Sequence, residues 1–274
     1  MLKQRVLTAL ALGAALLLAI FLLPDLLWGA IVSAICVLAL REWCALVKIP
    51  RAGFIVLALI ASAGLMYVAA KAPQMGSDTS LLIGLGYALA VFFWLFSASS
   101  LLYFGIEPVG IYWRYTVSLI MLMPAGVAML ELRRADPWLL VAAILVVVIA
   151  DVAAFFTGRR FGRRKLAPAI SPGKTWEGVY GACVGVAVFC SALWALVPAI
   201  QQFFNIWALL LLSQVFVAIC VLGDLFESML KREAGVKDSG NLLPGHGGVL
   251  DRVDAMIAFL PLAGLLYFIP GFLR

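Results

Sequence analysis

Hydrophobic positions in this chain come in long unbroken runs rather than in the alternation of strands or the stripes of soluble amphipathic helices. A helix needs roughly 20 apolar residues to cross about 30 Å of hydrocarbon. Nine runs approach that length: 6–23, 26–40, 53–70, 81–104, 115–132, 138–157, 178–199, 206–226 and 255–272. The second is short and follows a turn at Pro24 and Asp25. The runs far exceed the ~10-residue alternating segments of a membrane barrel. The pattern therefore predicts an all-α, polytopic membrane bundle of about nine helices, folded as one domain over residues 1–274. Residues 1–132 carry plain short loops and read as scaffold helices, whereas polar chemistry gathers in 133–274.

Composition agrees: 65% of the 274 residues are hydrophobic and 12% charged, with a net charge of +6. Placing the N-terminus in the cytoplasm puts sixteen of the 20 Lys and Arg in inside loops and leaves only Lys71, Arg133, Arg134 and Arg274 outside. That is the positive-inside bias, and it accounts for the basic charge without a nucleic-acid partner. The N-terminus has Lys3 and Arg5 ahead of an apolar run. That run exceeds the usual signal-peptide core of about 7–15 residues, and no clear cleavage site follows, so it reads as the first span. The five cysteines (Cys36, Cys44, Cys183, Cys190, Cys220) lie in or beside apolar runs without a CxxC pair, as small buried hydrophobes do. The REWC segment ending at Cys44 and the serines Ser97, Ser99 and Ser100 read as helix-end and packing features.

Candidate chemistry begins at Asp151, inside VAAILVVVIADVAAFF. A carboxylate there costs about 2.5–3.5 kcal/mol on insertion scales, so it faces a polar cavity or pairs with a nearby Arg. The inside loop GRRFGRRKLAPAISPGKTWEG follows. Its arginines suit a topology anchor against anionic lipid. Its second half sets Ser171, Lys174, Thr175 and Glu177 around Pro172 and Gly173 just before a helix start, an arrangement suited to a phosphate. It is not a nucleotide P-loop: Pro168 stands where that motif needs glycine, and no strand of a soluble domain precedes it.

The densest charge lies in SMLKREAGVKDSGNLLPGHGGVLDRVD, residues 228–254, between two greasy helices. On the helix leading into it, Asp224, Glu227, Ser228 and Lys231 are spaced to share one face. On the helix leading out, Asp251 and Asp254 share a face beside Arg252. Carboxylates from different helix ends are what a hard cation such as magnesium uses, with water and phosphate oxygens completing the shell. The bland alternative is a set of solvated helix-end charges pairing with nearby Lys and Arg. His246, the only histidine, has no companion ligands for zinc and suits phosphate contact or loop support.

These residues resemble the phosphatidate cytidylyltransferases, or CDP-diacylglycerol synthases. That family's signature runs Ser-x-apolar-Lys-Arg, four residues, Lys-Asp, a small residue, then His-Gly-Gly-x-x-Asp-Arg-x-Asp. Here it is met by Ser228 to Arg232, Lys237 and Asp238 followed by Ser239, and His246 to Asp254. The segment from Ile170 to Gly178 and Asp151 with the following GRRFGRRKL also look like family features, with Arg163 where the family pattern has Lys. The resemblance is strong in the C-terminal half; the first half matches only in being hydrophobic.

The resemblance implies transfer of cytidylyl from CTP to phosphatidate, giving CDP-diacylglycerol and diphosphate; the compact loops point to a bacterial inner membrane, and the positive-inside bias puts the active site on the cytoplasmic side. The nucleophile would be a phosphate oxygen already largely ionised at neutral pH, so no strong base is required. It assigns Lys231, Arg232, Lys237, Asp238, His246 and Arg252 to catalysis and Ser171, Lys174, Thr175, Glu177 and Ser228 to substrate. Magnesium falls to Asp224 and Asp251 jointly, supported by Asp254 and Asp151. A second cation and a homodimer are compatible with it. Neighbouring readings are a CTP-dependent lipid or polyprenol kinase, a transporter and a structural membrane anchor.

Overall fold

The computed structural model describes residues 13–71, 77–105, 110–242 and 247–269. They form helices α1 (Gly13–Leu22), α2 (Asp25–Leu46), α3 (Arg51–Lys71), α4 (Ser77–Phe92), α5 (Ser99–Phe104), α6 (Ile111–Ala135) and α7 (Pro137–Phe161). After a small hairpin come α8 (Trp176–Leu196), α9 (Pro198–Phe203), α10 (Ile206–Glu233) and α11 (Leu250–Phe268). Helices α4 and α5 run on as one through a π-helical stretch, Phe93–Ala98. Its carbonyls are met by the hydroxyls of Ser99 and Ser100, bonded to Trp94 O and Phe96 O.

Among the described residues, seven helices are long and apolar enough to cross a membrane. Helix α1 is described over too few residues to count. Helix α11 has Asp251, Arg252 and Asp254 at its start, yet it is the inner post of the bundle, packed against α10, α6, α4, α2 and α7. Its residues from Ala255 to Gly264 are almost all buried. The protein is an integral membrane protein, nearly all helical. Among the described residues the exception is a two-stranded antiparallel hairpin, β1 (Lys165–Ala167) and β2 (Ser171–Thr175), in the loop between α7 and α8.

The sequence reading ends the second span at residue 40, ahead of Arg41 and Glu42. Helix α2 continues to Leu46, with Arg41 exposed and Glu42 buried and hydrogen-bonded. The Trp43 indole N–H donates to Ser118 Oγ at 2.7 Å, and Arg114 Nη1 holds Val47 O at 3.0 Å. Trp43 also stacks on Phe226 of α10, which Phe93 and Trp94 meet edge-on. This buried aromatic cluster fixes the ends of α2 and α10 against each other.

Contacts sort the loops into two ends. At one, Arg133 caps α1 through Ile20 O and Leu23 O and pairs with Asp25 at 2.8 Å, while Arg134 reaches Ala69 O. At the other, the hairpin, the end of α2 and the charged 231–252 segment meet, as Arg232 Nε bonded to Ile170 O shows. This grouping follows the loop partition read from charge.

Helices α7 and α8 approach closely through small residues: a methyl at Gly185 would lie 2.9 Å from Ala153 Cβ. Small residues let membrane helices pack backbone to backbone. At Gly223 on α10, an added Cβ would sit 2.7 Å from Asp254 O and 2.8 Å from Ala258 Cβ. The missing side chain therefore lets the first turn of α11 lie against α10 beside Asp224. Gly223→Ala is expected to push these helices apart at a cost of about 1–3 kcal/mol. It should lower turnover more than any other alanine substitution that leaves charge unchanged on α10. Detergent melting and activity, measured together, check this.

Candidate active site

A cavity of about 470 Å³ opens where α7, α8, α10 and the hairpin meet. Its walls are small and apolar on the helices (Ala150, Ala154, Gly158, Gly178, Ala182), so space is left where larger side chains would fill it. Polar groups enter from three elements: Asp151 and Arg159 from α7, Ser171, Lys174 and Thr175 from β2, and Asp224 from α10. Arg159, read from sequence only as an anchor, belongs to this wall. Its spacing from Asp151, Phe155 and Gly158 follows one helix face, a signal the loop reading passes over.

Within the cavity Lys174 forms an ion pair with Asp224. Asp151 stands on the same wall, and Asp254 of α11 lies just outside it, its backbone oxygen against Gly223, the neighbour of Asp224 on α10. Strand β2 delivers Lys174 because the hairpin is braced at both ends. Thr175 Oγ1 accepts the Gly178 N–H and caps α8, with Gly158 and Gly162 leaving it room. The Glu177 carboxylate accepts the N–H groups of Arg163 and Arg164 at 3.0 and 3.2 Å. Glu177, assigned to substrate from sequence, thus makes contacts within the chain that shape the cavity rim, and Thr175 both caps α8 and lines the cavity.

The expected partnership of Asp224 with Asp251 takes a different form. Asp251 points into the loop, where Oδ1 accepts from Lys231 Nζ at 2.6 Å and Oδ2 from Gly248 N at 2.8 Å and Ser239 N at 3.0 Å. Lys231 is buried between Asp251 and Glu227, whose carboxylate lies 2.5 Å away. Lys231, assigned to catalysis from the sequence, is thus held within the chain. The cause of the difference is the close approach of α10 and α11, which folds the lower part of the polar stripe into their interface. Ser228, also buried, turns back to Asp224 Oδ1 at 3.4 Å.

The other assigned residues lie around this core. Arg232 in the last turn of α10 and Lys237 and Asp238 beyond it are exposed, Arg232 holding Ile170 O. Arg252 lines a separate, mostly apolar cavity of about 180 Å³ between α2, α6 and α11. His246 lies outside the described residues.

Glu42 is the residue the sequence reading missed. It is buried at the end of α2, and its carboxylate accepts from Ser239 Oγ at 2.8 Å, Val249 N at 3.0 Å and Leu250 N at 2.8 Å. The only signal was a glutamate inside a greasy segment.

Among the described residues no three His, Cys, Asp or Glu side chains converge closely enough to hold a metal unaided. The donor set nevertheless suits magnesium, which takes one or two carboxylates and leaves its remaining positions to water and substrate phosphate. Asp151 and Asp224 on the wall, with Asp254 on the adjoining turn of α11, supply only hard oxygens, and Lys174 pairs with Asp224.

A helical membrane bundle with a carboxylate- and lysine-lined cavity at one end of its spans defines a membrane enzyme that handles phosphate groups. The chain belongs to the cytidylyltransferase family, whose pattern it matches over residues 3–269. It is similar to the phosphatidate cytidylyltransferase of Pseudomonas aeruginosa, with 37% identity over 99% of this chain and 98% of that protein. The corresponding protein of Haemophilus influenzae is 36% identical, over 98% of this chain and 99% of its own. That of Staphylococcus epidermidis is 47% identical over 129 residues, 45% of this chain and 46% of that one. The protein is therefore a nucleotidyltransferase.

Proposed function

We propose that the cavity between α7, α8, α10 and the hairpin is where CTP and phosphatidate react to give CDP-diacylglycerol and diphosphate. The activity named for the full-length relatives supports this reading. The single structural observation that carries it is the Lys174–Asp224 ion pair beside Asp151 on the wall of this cavity.

The chemical obstacle is bringing two polyanions together. Lys174 and Arg159 supply positive charge on the cavity wall, where fixed cations meet developing charge without reorganising. Asp224, with Asp254 and Asp151, would hold magnesium, which when bound neutralises phosphate oxygens and polarises the α-phosphorus. The attacking phosphate oxygen needs no base because it is already largely ionised at neutral pH. Small residues on α7 and α8 leave room for a lipid headgroup whose tails stay in the bilayer. In-line displacement at the α-phosphorus then depends on positioning and electrostatics.

CTP-dependent release of diphosphate with phosphatidate in detergent micelles tests this assignment. Equimolar CDP-diacylglycerol and diphosphate are expected. Release of CDP instead identifies a lipid kinase, and no turnover identifies a transporter or an anchor.

The site faces the cytoplasm of a bacterial cell, with the N-terminus on the same side, across the inner membrane. The excess of basic residues in the loops of this end supports that orientation. Val236 is exposed beyond α10, whereas Ser239 is buried and unsuitable for labelling. Val236→Cys should resist an impermeant thiol reagent applied to spheroplasts and react after lysis. Rapid labelling from outside overturns the orientation.

A further inference from the structure

The described half of the charged loop is fastened by one side chain nearly 200 residues away. Glu42 belongs to α2, which contributes nothing to the wall of the catalytic cavity. Its two oxygens take the Ser239 hydroxyl and the N–H groups of Val249 and Leu250, where α11 begins. Those amides are among the four that a helix start leaves unsatisfied, and a carboxylate there also meets the positive end of the helix dipole. Ser239 completes a ring: its Oγ accepts from Asp251 N at 3.3 Å, and its own N–H donates to the Asp251 carboxylate. A methyl on Gly240 or Gly248 would overlap the Glu42 carboxylate, so the loop backbone is drawn directly onto it.

The end of α2 that carries Glu42 is itself immobilised. Trp43 is bonded to Ser118 and stacked on Phe226, two residues beyond Asp224 on α10. Helices α10 and α11 are thus referenced to the same point, α10 through Phe226 and α11 through the carboxylate. Asp254 sits one helical turn after Leu250, and its backbone oxygen lies against Gly223, the neighbour of Asp224 on α10.

We propose that Glu42 is a positioning residue for the transfer reaction, fixing the first turn of α11 so that Asp254 faces Asp224 and Lys174. The proposal rests on the cytidylyl-transfer reading for its activity arm, but the position of the loop can be measured without it.

Glu42→Gln is the informative change, since it keeps size and replaces one acceptor oxygen with a donor. At the Oε1 position the new NH₂ would face Val249 N–H, and at the Oε2 position Leu250 N–H, so neither orientation satisfies the donors. Hydrogen exchange of the 247–254 segment in detergent should become faster while the other helices keep their protection. Turnover per folded molecule should fall on the order of a hundredfold, as about 1 Å of displacement at a reacting site can cost. The magnesium concentration giving half-maximal rate should rise, which a uniform loss of folded protein does not produce. Ser239→Ala, which removes one of the three donors, should shift both readouts in the same direction by less.

Unchanged exchange at 247–254 overturns the proposal, because Glu42 then does not hold the loop. Faster exchange with wild-type turnover and magnesium dependence also overturns it, because the position of the loop is then irrelevant to the reaction. If the unmodified protein transfers no cytidylyl group, the functional reading fails while the exchange result still stands or falls separately.

Discussion

Replacing Asp224 with asparagine is expected to abolish magnesium-dependent transfer while leaving the chain inserted and folded. Asp224 is partly exposed to the cavity and paired with Lys174, so the substitution removes charge without opening a gap in the core. Lys174→Gln should have a comparable effect. Each charge-assisted contact contributes roughly 1.5–3 kcal/mol, or about ten- to hundredfold in rate when felt in the transition state. Losing the carboxylate should cost more, since it also empties the proposed cation position. If both side chains act on the same phosphates, as the proposed site requires, the double variant should lose much less than the product of the two single losses. Steady-state rates across a magnesium titration, with tryptophan fluorescence melting as the folding control, measure this. Multiplicative losses would show that Lys174 and Asp224 act independently.

Lys231 calls for a different expectation. It is buried between Glu227 and Asp251, joining the last turn of α10 to the first turn of α11. Lys231→Met leaves two buried carboxylates without their cation, and breaking such a group by removing one partner costs about 3–5 kcal/mol. The variant should therefore melt well below the parent and lose activity along with structure. Asp251 would still keep the N–H groups of Gly248 and Ser239, so the stranded charge is chiefly that of Glu227. Adding Glu227→Gln should recover much of the lost stability. A Lys231→Met protein with parental melting and no turnover would instead make Lys231 a direct phosphate ligand.

The contrast between these two lysines marks how far the pattern of residues can be read. Lys174 and Lys231 both stand in polar segments next to carboxylates, and the sequence places both among the site residues. In the fold, one lies on a cavity wall and the other inside a helix interface. The deciding residue is Gly223, which brings α11 onto α10 and buries the lower part of the polar stripe while leaving Asp224 open. Helical spacing placed Asp224, Glu227, Ser228 and Lys231 on one face but could not say where along that face the neighbouring helix begins.

Glu42 shows the same limit from the other direction. Its place in a greasy segment suggested a helix end, and helix α2 was accordingly expected to stop before it. Nothing within ten residues of it predicts Ser239, Val249 and Leu250 as partners. The first 132 residues, plain as they look in sequence, thereby hold part of the catalytic half in place.

By itself, the sequence determined a helical integral membrane protein, the segregation of its loops by charge and the inventory of groups able to handle phosphate. These follow from local physics: apolar runs long enough to span hydrocarbon, and charged side chains too costly to leave there without purpose. Only the tertiary structure decided which carboxylate meets which cation, Asp224 with Lys174 and Asp251 with Lys231, and that Glu42 fastens the loop. Such pairings depend on where helices distant in sequence touch. That is set by packing of small residues such as Gly223 and by buried hydrogen bonds, neither of which leaves a periodic trace along the chain.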